Sequence, residues 1–215
     1  MKLSKYIDHT LLKADASIDA IKTLCDEAKE YDFKSVCVNS CNIEFCKKQL
    51  QGSDVLVCTV VGFPLGAMST EAKVFEAEDA VRKGADEVDM VINIGRLKDS
   101  DFYYCTDEIK RIKNAIGNKT LKVIIETCLL TDEQIVNACM CVLDGGADFV
   151  KTSTGFSTAG ATFEAVALMK KTVGDKCLVK AAGGVRSHED MLKMIELGAN
   201  RIGTSSGTKL IEKGK

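Results

Sequence analysis

One three-residue phrase recurs along this chain and constrains its fold more than any other feature: Gly84-Ala85-Asp86, Gly146-Ala147-Asp148 and Gly198-Ala199-Asn200. Each copy stands between a helix-patterned run and a short apolar run. A glycine at that place takes the left-handed conformation that ends a helix, and the next two residues turn the chain into a strand. The elements on either side of the joint repeat as well. Short apolar runs centre near Asp8, Val36, Val57, Asp89, Ile124, Val150, Val179 and Ile202. Between them apolar residues keep helical spacing, as in Ile18, Ile21, Leu24, Cys25 and Ala28, or in Ala72, Phe75, Ala77 and Val81. A helix starts near Ile43, a long one lies between the runs at Asp89 and Ile124, and a short last one begins near Ser205. Ser69 is placed to cap the third helix, Thr131 with Gln134 forms a capping box, and Ser187 with Asp190 resembles one. Eight strand-helix units in 215 residues predict a single α/β domain over 1–215, closed as a (β/α)8 TIM barrel with a short N-terminal lead-in. A doubly wound open sheet is the second solution, since alternation alone does not require closure.

Charge and composition remove several function classes. Twenty-nine Lys and Arg against 31 Asp and Glu give a net charge of −2, with no basic run dense enough for nucleic acid. The start, Met1-Lys2-Leu3-Ser4-Lys5, lacks a signal peptide's apolar core, and no window has the apolar length to span a bilayer. A cytoplasmic protein without membrane contact is expected. Ten cysteines raise a metal or disulfide reading, but there is no Cys-x-x-Cys and only His9 and His188 could assist. No metal or cofactor is expected, and most of the cysteines read as small buried hydrophobes. Cys37 is set apart by its place near a strand end, where it could face a ligand.

In a barrel of this type the active site lies at the C-terminal ends of the strands. That rule selects Asp89, Lys151 and Lys180, which stand on or at the exits of apolar runs, and it assigns Lys122, which begins its run, to the opposite, structural end. Burial of an ammonium without a partner favours loss of its proton, and a second ammonium nearby acts in the same direction. A neutral lysine is a nucleophile that condenses with a carbonyl to an iminium, which opens carbon–carbon bond chemistry near neutral pH. Asp89 can shuttle a proton or serve as an ion-pair partner, and Glu126 is a reserve candidate for the same work. Phosphate is expected at the last two strand exits, where Gly183-Gly184 and Ser205-Ser206 follow β-patterned runs, with Thr152 to Gly155 beside them. There is no Gly-x-Gly-x-x-Gly after a first strand and no Walker loop.

The chain resembles the deoxyribose-phosphate aldolases, class I aldolases of the barrel fold. The resemblance rests on Ile7-Asp8-His9-Thr10-Leu11-Leu12, Ser35-Val36-Cys37-Val38-Asn39, Val61-Gly62-Phe63-Pro64-Leu65-Gly66, residues 84–91, 122–127 and 149–155, Lys180 to Arg186 and Gly203 to Gly207. It implies that Lys151 forms the Schiff base with acetaldehyde, that Lys180 tunes it, and that Asp89 is the partner in proton transfer. The implied reaction is reversible cleavage of 2-deoxy-D-ribose 5-phosphate to D-glyceraldehyde 3-phosphate and acetaldehyde, in deoxynucleoside breakdown. Phosphate contacts would fall on Gly155, Gly183, Gly184, Ser205 and Ser206, while Asp8 and Thr10 would line the site along with Cys37. A homodimer or higher homo-oligomer is implied too. Two departures are visible: Ser40 stands where the family usually has proline, and no tyrosine follows Tyr104, so no tail residue is assigned a role. Another Schiff-base aldolase or transaldolase, and a non-catalytic phosphate-binding barrel, remain open at this point.

Overall fold

The computed structural model describes residues 2–211; Met1 and residues 212–215, the two ends of the domain expected over 1–215, lie outside the described residues. Eight strands follow the expected centres: β1 Ile7–Leu11, β2 Ser35–Val38, β3 Leu56–Val61, β4 Glu87–Val91, β5 Thr120–Ile124, β6 Phe149–Lys151, β7 Leu178–Ala182 and β8 Ala199–Thr204. Each pairs in parallel with the next, and β1 also pairs with β8 through Asp8 opposite Gly203, so the sheet closes and the open-sheet alternative is excluded. A single 3₁₀ turn, Leu3–Tyr6, forms the lead-in.

The helices are α1 Ile18–Glu30, α2 Ile43–Gln49, α3 Thr70–Arg82, α4 Ile94–Lys98, α5 Phe102–Ile116, α6 Asp132–Asp144, α7 Phe163–Val173, α8 His188–Glu196 and α9 Gly207–Ile211. The long helix expected between β4 and β5 is α5, and a short α4 precedes it. The break has a local cause: Ser100 takes a left-handed conformation at φ 62°, and the Asp101 carboxylate accepts from the Tyr104 N–H to start a new helix. Both capping boxes form, at Thr131 with Gln134 and at Ser187 with Asp190. The apolar face expected for α3 differs from the observed one. Phe75 is exposed and Lys73 is fully buried beside Ala77 and Ala80, because Lys73 carries its counter-ion with it: Glu108 of α5 stands 2.9 Å away, also fully buried.

The recurring joint has a consistent geometry. Gly84, Gly146 and Gly198 have φ of 106°, 75° and 109°, values that only glycine adopts without strain. The N–H groups of Gly84 and Ala85 return to Val81 and Ala80, and those of Gly146 and Ala147 return to Leu143 and Val142, which closes each helix end. The third residue then reaches sideways. Asp86 Oδ2 accepts from the Val57 N–H at 3.0 Å, Asp148 Oδ2 from Leu121 at 2.8 Å, and Asn200 Oδ1 from Val179 at 3.0 Å. Each joint therefore ends a helix, begins a strand and satisfies the first free N–H of the preceding strand, at the β3–β4, β5–β6 and β7–β8 seams.

The aliphatic core lies between the sheet and the helices, with Ile21, Val36, Met90, Ile112, Val142 and Met169 among its fully buried members. Inside the barrel Leu12, Cys37, Cys58 and Val60 form a small apolar cluster, and the buried Phe149 ring lies about 6 Å from the charged heads of Lys122 and Arg201. Much of the interior is ionic, where barrels commonly stack branched aliphatic layers. Among the described residues no helix is long and apolar enough to cross a membrane.

Candidate active site

The strand register brings the selected residues together. Lys151 of β6 lies opposite Lys180 of β7, and Asp89 of β4 stands one strand removed from β6 with its side chain turned into the barrel. Asp89 Oδ2 accepts from Lys151 Nζ at 2.8 Å and from Lys180 Nζ at 2.7 Å, so one carboxylate oxygen joins the two amines. Its other oxygen, Oδ1, accepts from Lys122 Nζ at 2.8 Å and from the Cys58 thiol at 3.1 Å. Burial pushes the Asp89 carboxyl up, but Lys122, Lys151 and Lys180 together outweigh it and hold it well below the usual carboxylate range. Asp89 is therefore an anion throughout the neutral range.

Lys122 requires a correction. It was expected at the start of its strand, but β5 begins at Thr120 and pairs Lys122 directly with Asp89, and its fully buried side chain bonds both Glu87, at 2.7 Å, and Asp89. Burial pulls the Lys122 ammonium down, and Asp89, Cys58, Glu87 and Asp8 more than reverse it, leaving it well above the ordinary lysine value. The site thus contains three lysines where two were expected.

Below lies a second ionic layer. Asp8 of β1 accepts from Arg201 of β8 and from Ser35 Oγ at 2.7 Å, and its other oxygen stands 2.5 Å from Lys180 Nζ. Arg201 also donates to both oxygens of Glu87, at 3.1 and 2.7 Å. Burial opposes the charge of Lys180, but Asp8 and Asp89 raise its ammonium above the usual value. Arg201 and Glu87 carried no signal in the sequence beyond being charged residues near strand starts.

Above the ionic layers a cleft of about 610 Å³ opens at the C-terminal ends of the strands. Lys151, Thr10, Gly155, Gly183, Gly184, Ser205 and Ser206 all line it. Asp8 and Cys37 do not: both are fully buried beneath its floor, Asp8 in the ionic layer and Cys37 in the apolar cluster. Lys13, Arg186 and Lys209 add cations at the cleft's edge that the sequence reading had not singled out. Gly155, Gly183 and Gly184 have φ of 83°, 67° and 77°, which leave their backbone N–H groups unshielded by side chains. Gly160 was also missed. A Cβ there would stand 2.3 Å from the Gly183 carbonyl carbon, so the loop after β6 approaches the loop after β7 at backbone contact. Ala161 N–H, donating to Ala182 and Gly183 oxygens at 3.1 and 3.0 Å, fixes that approach.

Glu126, the reserve candidate, holds a loop. It takes a left-handed backbone at φ 56°, and its carboxylate accepts from the Thr154 N–H at 3.2 Å and the Thr154 hydroxyl at 2.5 Å. The Thr154 hydroxyl oxygen accepts in turn from the Phe156 N–H at 3.0 Å, which pins the segment carrying Gly155. Cys37 Sγ, Cys58 Sγ and an Asp89 oxygen lie within 4.8 Å of one another, near enough to hold a metal ion. The ammonium of Lys122, 2.8 Å from Asp89 Oδ1 and 3.4 Å from Cys58 Sγ, already supplies a cation to that group.

Comparison with known proteins gives the family. A deoxyribose-phosphate aldolase of Finegoldia magna is 63% identical over 212 residues, which is 99% of this chain and 100% of the relative. That of Streptococcus uberis is 57% identical over 211 residues, 98% of this chain and 96% of the relative. Among solved structures, a deoxyribose phosphate aldolase from Aeropyrum pernix, described as having a unique tetrameric structure, superposes with a TM-score of 0.88 at 31% identity, covering 98% of this chain and 89% of that one. Residues 2–211 match the family described as DeoC/LacD family aldolase, and the chain belongs to that family.

Proposed function

We propose that the protein is a class I deoxyribose-phosphate aldolase, which reversibly cleaves 2-deoxy-D-ribose 5-phosphate to D-glyceraldehyde 3-phosphate and acetaldehyde in deoxynucleoside catabolism. The observation that carries this reading is one carboxylate oxygen, Asp89 Oδ2, bonded to two lysine amines, of which only Lys151 lines the cleft. Lys151 Nζ attacks the C1 aldehyde, and loss of water leaves an iminium. The C3 hydroxyl then gives up its proton, and the C2–C3 bond breaks. Its electron pair flows into the iminium as an enamine, and glyceraldehyde 3-phosphate leaves. Protonation at C2 and hydrolysis release acetaldehyde and restore the amine. In this reading Lys180 and Asp89, joined at 2.7 Å, take and return these protons.

The substrate phosphate would sit against the N–H groups of Gly155, Gly183 and Gly184 and the hydroxyls of Ser205 and Ser206, with Arg186, Lys13 and Lys209 adding positive field. Thr10 would face the sugar. The tetrameric relative supports a homo-oligomer, and a cytoplasmic site of action is part of the same proposal. Neither metal nor cofactor has a step in this mechanism, so a chelator should leave turnover unchanged.

The test is turnover of 2-deoxy-D-ribose 5-phosphate, read by coupled reduction of the triose phosphate. Wild type turns over; Lys151→Ala stays folded and inactive; Lys180→Leu is slowed severely. Full activity in either variant sinks the assignment of roles. Turnover of a different sugar phosphate alone would move the protein to another Schiff-base aldolase or a transaldolase.

A further inference from the structure

Every strand sends an ionisable side chain into the barrel: Asp8 from β1, Cys37 from β2, Cys58 from β3, Glu87 and Asp89 from β4, Lys122 from β5, Lys151 from β6, Lys180 from β7 and Arg201 from β8. None is more than 5% exposed. The four cationic side chains meet only three carboxylates in this network of ion pairs. A net charge in such an interior is costly, and a titratable member relieves it by changing its protonation. The question is which member.

Arginine does not release its proton in proteins. Lys122 has two carboxylates, Glu87 Oε2 at 2.7 Å, which it shares with Arg201, and Asp89 Oδ1 at 2.8 Å, an oxygen neither of the other lysines uses. Lys180 also has two, Asp8 at 2.5 Å and Asp89 Oδ2 at 2.7 Å. Lys151 has one partner, Asp89 Oδ2 at 2.8 Å, and shares that oxygen with Lys180. The thiols do not restore balance as anions. Cys58 has a single proton and Asp89 Oδ1 accepts it at 3.1 Å, so none is left to hold Cys37 as a thiolate, although a Cys58 hydrogen bond would pull the Cys37 thiol down. Burial pushes the Cys58 thiol itself well up.

We infer that the barrel cluster is electrically neutral only with Lys151 as the free amine, and that Lys122 and Glu87 set its protonation through this balance from outside the cleft. The inference rests on the reading of Lys151 as the Schiff-base lysine and names what keeps that amine reactive. Lys122 and Glu87 are positioning residues: neither lines the cleft, and Lys122 acts through Asp89 while Glu87 acts through Lys122 and Arg201. The like-charge effect expected of Lys180 alone is therefore a property of the whole set. Removing a negative charge anywhere in it drives Lys151 further toward the free amine, and removing a positive charge lets Lys151 keep its proton.

The experiment measures, at a series of pH values, the rate at which acetaldehyde and cyanoborohydride place an ethyl group on Lys151, located by peptide mass spectrometry. Four forms are compared: wild type, Glu87→Gln, Lys122→Met and the double variant. Circular dichroism at each pH confines the comparison to folded protein. The acid limb of the rate should move to lower pH in Glu87→Gln and to higher pH in Lys122→Met, by about one pH unit each. In the double variant, which deletes one charge of each sign, it should return to the wild-type position. If Lys122→Met does not fold, Lys122→Gln removes the charge and keeps a donor toward Glu87 and Asp89. Limbs that stay at the wild-type position in the single variants, with the double slower than either, describe a structural role and overturn the inference. A limb that moves in Cys37→Ala would mean that a thiolate belongs in the balance and would overturn it as well. Absence of any label on Lys151 in the wild type overturns the Schiff-base reading itself, whereas labelling with unmoved limbs overturns the charge balance alone.

Discussion

Replacing Lys73 by Met isolates the energetics of a buried ion pair that lies outside the ionic barrel interior. Lys73 and Glu108 join α3 to α5 at 2.9 Å with both side chains fully buried, and Lys73 also donates to the Val91 oxygen at 2.9 Å. Methionine keeps most of the stem that packs on Gly62 but strands the Glu108 carboxylate without a counter-ion. Stranding a buried charge costs about 3–5 kcal/mol, roughly 6–20 °C in melting temperature for a domain of this size. Burial already pushes the Glu108 carboxyl up even with Lys73 beside it, so its loss should push it further. A carboxyl raised in the folded state contributes stability at pH below the ordinary carboxylate value and loses it as pH rises. The deficit of Lys73→Met relative to wild type should therefore shrink as the pH is lowered. Lys73→Met/Glu108→Gln, with no buried charge and the Thr70 contact retained, should recover most of the loss. Thermal and urea melts across pH decide the matter. A deficit under about 1 kcal/mol, or a double variant as unstable as the two singles summed, would refute the reasoning.

Three further outcomes follow from the same structure. Thr131→Ala removes the capping box of α6 and should cost about 1 kcal/mol, read as a fall of about 2–4 °C in melting temperature. Asp148→Ala leaves the Leu121 N–H without its acceptor at the barrel's N-terminal end; a loss of about 1–3 kcal/mol in a urea melt is expected, with kcat unchanged. Gly160→Ala forces the loop after β6 away from Gly183 and should raise KM for the phosphorylated substrate by at least about tenfold. Acetaldehyde labelling of Lys151 in that variant should proceed at the wild-type rate, since under the proposed function the displaced loop would hold phosphate and not the amine.

The architecture was readable because its punctuation is local. The Gly-Ala-Asp and Gly-Ala-Asn joints end helices by backbone conformation alone, and the strand centres between them are where the structure places them. Lys151, Lys180 and Asp89 were readable for a related reason: charged residues at the exits of apolar strands have few structural uses. Lys122 was misplaced because its apolar run reads as starting at Leu121, whereas β5 begins at Thr120 and the register, which a single sequence does not show, sets Lys122 directly opposite Asp89. Glu87 and Arg201 have meaning only through each other, 114 residues apart, and the Gly160 contact exists only once two loops meet. Glu126 sat at the right end of its strand, but a left-handed backbone turned its carboxylate into the Thr154 loop. No single-sequence pattern carries that turn.

The central claim is that Lys151 is the amine that condenses with the aldehyde. The most direct measurement is to incubate the protein with acetaldehyde, reduce with borohydride, and locate the added ethyl group by peptide mass spectrometry. The account predicts one reduction-dependent label, on Lys151, and none on Lys180 or Lys122, whose ammonium groups are each held by two carboxylates. A label absent from Lys151, or spread over surface lysines, would contradict it.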